Sequence, residues 1–338
     1  MLTCLLVGCG RDPGQIELSG ASMGTTWHLS YVAEPATPDV EVVEAVVQAA
    51  LDAVNASMST YQDESEISRF NRATSEQWFP LSKDFLHVLD TAMMVGELSA
   101  GAFDITVAPL VDIWGFGATG VALEPPTQAA IQRGLARMGQ TQIETDAQAL
   151  VARKPVNVAL DFSSLAKGFA VDKAAQALRA AEVSRFLLEV GGEMLLSGHS
   201  GRGDPWRVAI EDPDSTGRGV ATILSTTDTA VATSGDYRNY FEYDGQRYSH
   251  IIDPRTGWPV VQDLVSVTVL HDSAMLADAW ATALLVLGPE DAPAVAESMG
   301  LAVYFIRRGA EELVHSYTPA FERHLADPVR AEGPGEKL

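Results

Sequence analysis

The sequence predicts an α+β protein of mixed helices and largely antiparallel sheet, and three observations carry that prediction. Apolar residues recur at helical spacing in separate windows, as in the stripe of Val42, Val43, Val46, Val47, Ala50, Leu51 and Val54 within residues 39–56. Residues 186–250 read instead as short strands, closing on YFEYDGQRYSHII, whose Asp244-Gly245 pair favours a type I′ hairpin turn. Helical and strand patterns follow one another without the regular alternation that a doubly wound parallel sheet requires.

The elements follow in order. Residues 16–32, IELSGASMGTTWHLSYV, give two strand-like runs around a glycine-containing bend, and the helix of residues 39–56 comes next. A second helix fits 82–100, with Ser82 as N-cap, Phe85, Leu86, Leu89 and Met93 facing inward, and Gly101 as its stop. Pro125-Pro126-Thr127 opens a third helix ending near Gly139. A short strand from Val156 to Asp161 leads into a fourth helix, Ser163 to Ala181. The strands FLLEV, EMLLSG, WRVAIE, GVATILS and TAVATS precede the hairpin. A strand from Leu264 to Leu270 then delivers an apolar helix beginning at Ala274, and a helix at 289–299 with strands near 302 and 312 closes the body. The chain divides into a leader and linker at 1–15, a body at 16–324 compatible with two intertwined α+β subdomains, and a tail at 325–338 expected to be disordered. No repeat of fixed period is present.

A length of 338 residues allows about two domains of ordinary size. The composition, 46% hydrophobic and 20% charged, is globular, and no interior apolar run reaches the roughly 18 residues of a spanning helix. A net charge of −22 argues against nucleic acid as a partner, so an anionic substrate would require local cations. The two cysteines, Cys4 and Cys9, both precede the body, which therefore has no thiol for a disulfide, a zinc site or redox chemistry. They belong to MLTCLLVGC, which resembles a bacterial lipobox although it lacks a basic start and is short for a signal segment. The expectation is an exported protein, lipid-anchored through Cys9 at the periplasmic face of the inner membrane.

Chemistry is written most plainly into Ala274–Leu287, AMLADAWATALLVL, where the polar side chains Asp278 and Thr282 lie four residues apart on one helical face. A carboxylate in so apolar a helix needs a compensating cation or several donors. The oxygen pair suits Mg²⁺, which is commonly held by one or two carboxylates plus substrate phosphates. In LDFSSLAKG, residues 160–168, a strand runs into a helix start carrying Lys167; this suits an anion, or equally a capped helix with a surface lysine. In YSHIIDPRTG, residues 248–257, His250 reaches a Pro/Gly turn as a base, a phosphate ligand or a satisfied core histidine. Asp104 in GAFDITV could accept hydrogen bonds from a heterocycle and Tyr61 in MSTY could stack on one, although each also fits a turn. SMGTTW, residues 22–27, permits close ligand approach, and Gly191-Gly192-Glu193 reads as a bulge or turn, with ligand contact as the second reading.

The ordered set MGTTW, MSTY, GAFDIT, DFSSLAKG, SHIIDPRTG and DAWAT resembles the ApbE-family flavin transferases, which move FMN from FAD onto a threonine or serine of another protein. The resemblance spans about residues 20–310 and implies an ApbE-like, T-fold-related architecture. It also implies FAD as substrate, lying along Met23, Tyr61, Ala102, Phe103, Asp104, Asp161, Lys167 and Ile252. One or two Mg²⁺ ions would be held by Asp278, Thr282 and an oxygen of Ser164. His250, Lys167 and Asp278 would serve catalysis, and the acceptors would be membrane redox subunits bearing a D-x-x-[ST]-G-[AS]-[ST]-like motif. Trp280 departs from the smaller residue common between the metal positions. Two other readings use the same residues: an FAD pyrophosphatase giving FMN and AMP, and an exported flavin-binding or storage lipoprotein.

Overall fold

The helical and strand periodicities resolve into an antiparallel sheet with a helical layer on one face and a two-stranded ribbon on the other. The computed structural model describes residues 14–73, 77–117, 120, 124–155, 157–213, 219–237 and 239–326. The leader with Cys9, Val156 and the tail beyond residue 326 lie outside the described residues. In chain order the elements are β1 (Gln15–Ser22), β2 (Thr25–Val32), α1 (Val40–Met58), α2 (Glu66–Arg72), β3 (Phe79–Pro80), α3 (Lys83–Leu98), α4 (Ala108–Ile113) and α5 (Gln128–Leu135). There follow β4 (Glu144–Asp146), β5 (Val151–Arg153), α6 (Ala166–Ala180), β6 (Phe186–Val190), β7 (Glu193–Ser197), β8 (Trp206–Glu211) and β9 (Val220–Thr226). The remainder are β10 (Thr229–Gly235), β11 (Tyr240–Tyr243), β12 (Gln246–Ser249), β13 (Leu264–His271), α7 (Ala274–Ser298), β14 (Ala302–Arg308) and β15 (Leu313–Tyr317).

The main sheet has the order β1-β2-β6-β7-β10-β13-β14-β15, with every neighbouring pair antiparallel. Its central strands are apolar in continuous runs because both faces are covered. On β6, Phe186, Leu188 and Val190 pack against the helical layer of α1, α3, α6 and α7, while Leu187 packs against the β8–β9 ribbon beside Trp206 and Leu224. In α1 the buried residues are Val43, Val47, Leu51, Val54 and Met58; Val42, placed in the stripe by periodicity, is 48% exposed. The Ser82 hydroxyl accepts from Phe85 N at 3.2 Å, satisfying an amide at the start of α3 as its sequence predicts. At the hairpin, Asp244 and Gly245 both take positive φ, 49° and 75°, as a type I′ turn demands.

Helices α6 and α7 meet with almost no clearance. A Cβ on Gly168 would overlap the Ala274 carbonyl and come within 2.8 Å of Met275 Cα, so only glycine admits this crossing. One turn further on, the Asp172 carboxylate caps α7 from outside, accepting from Ser273 Oγ at 2.7 Å, Ala274 N at 2.8 Å and Met275 N at 3.1 Å. Gly288, at φ 84°, breaks α7 into the two helical stretches that the sequence predicts, with Pro289 starting the second.

Three expectations are corrected. The fourth helix begins at Ala166 rather than Ser163, because residues 163–165 form a turn ahead of it. Residues 157–161 belong to no strand: the Asn71 side chain pairs with Leu160 instead, donating to its carbonyl at 2.9 Å and accepting its N–H at 2.7 Å. The ordered body passes residue 324, since Leu325 bridges Leu224 and Ala326 N donates to the Ile223 carbonyl at 2.9 Å. The short elements α2, α4 and β3–β5 were not legible as periodic patterns.

Gly168→Val should lower stability by about 1–3 kcal/mol, the usual cost of overpacking, and misplace the start of α7. Urea unfolding monitored by circular dichroism checks the loss; an unchanged midpoint would show that the helices can separate freely.

Candidate active site

The sheet opens where it meets the helices. Strands β7 and β10 pair only between Met194–Leu196 and Thr229–Val231, so Thr233–Gly235 on one side and Gly191–Glu193 on the other border a cleft of about 850 Å³. Into this cleft α6 brings Lys167, α7 brings Asp278 and Thr282, and the turn before α6 brings Ser163 and Ser164. The Gly168 contact explains the convergence, because it brings the first turn of α6 beside the opening turns of α7.

Lys167 is half-buried between two buried carboxylates. Its Nζ lies 2.9 Å from Glu193 Oε1 and 3.7 Å from Asp278 Oδ2, and Asp278 Oδ2 also accepts Gly168 N–H at 3.2 Å. Burial alone would lower the lysine pKa, but Asp278 and Glu193 outweigh it and hold the ammonium above its ordinary range. Both carboxyls are pushed up by burial, against the pull of Lys167. Glu189, across the Gly191-Gly192 turn, is raised to about 7 by burial, despite its bond from Gly192 N at 2.6 Å. Glu189 Oε2 and Glu193 Oε2 are buried with no hydrogen-bond partner. The site therefore holds more carboxylate oxygen than its one lysine can satisfy, which suits an additional cation.

Asp278, Thr282 and Ser164 all line the cleft, and Ser234 Oγ lies 3.1 Å from Thr282 Oγ1. The donor set is entirely oxygen, as a hard divalent cation prefers. Among the described residues no group of three or more His, Cys, Asp or Glu gathers for a metal, so a cation here would rely on few protein ligands and on water or substrate oxygens.

His250 follows β12 and lines the same cleft. Its Nδ1 lies 3.0 Å from the Asn239 carbonyl, which can only accept, so Nδ1 carries the proton and Nε2 keeps its lone pair. Burial lowers the imidazole pKa, the Asn239 bond raises it and Lys167 lowers it, with a net decrease that favours the neutral ring. Asp104 is raised by burial, although its Oδ1 accepts from Thr106 N at 2.7 Å and from Thr106 Oγ1 at 2.5 Å. Asp161 Oδ1 accepts Ser163 N at 2.8 Å, and its own N–H donates to the Ile105 carbonyl at 2.7 Å, tying the two aspartate loops together.

Of the residues singled out in the sequence, the cleft brings together Ala102, Phe103, Asp104, Asp161, Ser164, Lys167, His250, Ile252, Asp278 and Thr282. Met23 and Tyr61 do not line it. Met23 occupies the β1–β2 turn at φ 52° and packs partly against the core, whereas Tyr61 follows α1 and is 78% exposed. Glu189 was missed as a site residue, and Glu193 was read first as part of a turn. Each is a lone carboxylate in an apolar run, FLLEV or EMLLS, the same signal that marks Asp278.

The ApbE family model matches residues 23–305. A Vibrio cholerae protein named FAD:protein FMN transferase is 42% identical over 302 residues, covering 89% of this chain and 90% of its own length. Its Escherichia coli K12 counterpart of the same name is 37% identical, covering 94% of each. Among solved structures, the flavin transferase ApbE from Vibrio cholerae superposes with a TM-score of 0.86 at 39% identity, over 92% of this chain and 99% of that one. The apo flavinyl transferase ApbE of Pseudomonas stutzeri gives 0.85 at 37% identity, over 93% and 97%. One continuous family match, a relative 42% identical over nearly its whole length and superposition over nearly the full chain agree: the chain belongs to the ApbE family.

Proposed function

We propose that the protein is a Mg²⁺-dependent FAD:protein FMN transferase, moving FMN from FAD onto a threonine or serine hydroxyl of a target protein and releasing AMP. The observation that carries this reading is the convergence on one cleft of Lys167, Asp278, Thr282, Ser164 and His250, in a chain whose relatives bear that enzyme name. In the reaction the acceptor oxygen bonds to the FMN-side phosphorus, the bridging P–O bond breaks, and AMP leaves with the bridging oxygen. Phosphoryl transfer asks the protein chiefly to position groups and neutralise charge.

Lys167 supplies a fixed ammonium for pyrophosphate oxygens inside a chain of net charge −22. Asp278, Thr282 and an oxygen of Ser164 would hold one or two Mg²⁺ ions, which when bound neutralise developing phosphate charge. Neutral His250, with Nε2 unprotonated, takes the hydroxyl proton of the acceptor. Ala102, Phe103 and Ile252 offer apolar wall for the flavin or adenine, and Asp104 and Asp161 offer acceptors at its edge. Contacts of FAD with Met23 and Tyr61 rest on the family resemblance alone. By the same resemblance the acceptors are membrane redox subunits carrying a D-x-x-[ST]-G-[AS]-[ST]-like motif, met by an enzyme anchored through Cys9 at the periplasmic face.

Incubation with FAD, Mg²⁺ and a peptide bearing that motif should add the mass of FMN to the peptide and release AMP, read by mass spectrometry. Free FMN and AMP without an adduct would replace the transferase with a pyrophosphatase, and bound FAD without turnover would mean a flavin-binding protein. Asp278→Asn should abolish transfer at limiting Mg²⁺ and remove Mg²⁺ binding measured by calorimetry; metal binding equal to the parent would exclude Asp278 as a ligand. His250→Ala should lower kcat by about 10²–10⁴-fold, the span of general-base effects, with little change in FAD affinity. In the parent, kcat should be flat through neutral pH and fall only below the ordinary imidazole value near 6.5, because burial depresses this histidine. A loss of FAD binding instead would make His250 a binding residue.

A further inference from the structure

We infer that the cleft-side edge of β8 is the docking strand for the acceptor polypeptide, which adds to the β8–β9 ribbon in extended form; this rests on the transferase reading above. The ribbon stands apart from the main sheet and has only two strands. Its inner face is anchored by Trp206, Val208, Ile210 and Leu224, which pack on the sheet. Five consecutive residues of β8, Arg207 to Glu211, line the cleft, so the strand borders it with its backbone as well as with alternate side chains.

The hydrogen-bond parity is fixed from the opposite side. Ala326 N donates to the Ile223 carbonyl, and Leu325 bridges Leu224, so the main-chain groups of Ile223 point away from β8. Ile223 is paired with Ala209, and Ser225 with Arg207. In an antiparallel ladder the two members of a pair point both inward or both outward. The N–H and C=O groups of Arg207 and Ala209 therefore point away from β9, and among the described residues no main-chain hydrogen bond reaches them. An edge of alternating donors and acceptors is complemented by another extended backbone, which is the mode of strand addition.

The occupant follows from the site. The transferase reading requires a polypeptide whose hydroxyl enters this cleft, and β8 is an open strand edge lining it. Arg207 is exposed and makes no ion pair among the described residues, leaving a cation on the strand for an acidic residue in the acceptor. The main-chain bonds would hold many sequences alike, and Arg207 would select for the acidic one.

The test uses the full chain and a fluorescent acceptor peptide of the motif above whose reacting threonine is replaced by valine, so that binding is read without turnover. N-methylation of successive peptide amides should weaken binding with a period of two residues. Ala209→Pro, which removes one outward N–H at an edge where proline is tolerated, should weaken it about five- to tenfold, the worth of one hydrogen bond, with FAD affinity unchanged. Weakening without the two-residue period, or a proline variant that binds like the parent, overturns the docking strand. A parallel loss of FAD affinity also overturns it, assigning the edge to the nucleotide. Peptide binding of the predicted pattern with no FMN transfer to the threonine form would sustain the docking strand and overturn the transferase reading instead.

Discussion

The site depends on an ammonium held between two buried carboxylates. Lys167 lies 2.9 Å from Glu193 and 3.7 Å from Asp278, and it pulls both carboxyls toward the ionised form against the burial that pushes them up. Removing one member of such a group leaves the others uncompensated, at a cost of roughly 3–5 kcal/mol. The pairing is only possible because Gly168 lets α6 lie on the opening of α7, and because Asp172 terminates the exposed amides of α7 at the same junction. Packing, capping and charge compensation thus share one crossing of two helices.

Much of this was legible in the sequence where a residue contradicted its surroundings. Asp278 in an apolar helix announced a compensating cation, read there as Mg²⁺, whereas its pairing with Lys167 depends on how two distant helices meet and was not legible; the helix cap at Ser82, the helix start at Thr127 and the hairpin at Asp244-Gly245 are local and were readable. Asp172 was not, because a carboxylate on a helix surface looks solvated until another helix end is brought to it. Glu193 was hidden by its position beside two glycines, which drew attention to the backbone. Tyr61 shows the reverse: an aromatic in a promising motif that stands 78% exposed, away from the cleft.

The net charge of −22 acquires a local meaning beside this cluster. Long-range repulsion of an anionic nucleotide is screened within about 8 Å at physiological ionic strength, so the fixed lysine and neighbouring oxygen donors decide what enters. Glu189, raised to about 7, reduces the negative charge opposing that entry.

The Asn71 side chain takes the place of a strand. It closes two hydrogen bonds on Leu160 across a separation of 89 residues, in the segment that leads to Asp161 and Ser164. That segment is consequently fastened to α2 and the helical layer, whereas Glu193 and Ser234 ride on sheet strands. The two walls of the cleft are thus carried by different layers of one core, so the seating of the helices on the sheet sets the width of the opening between them.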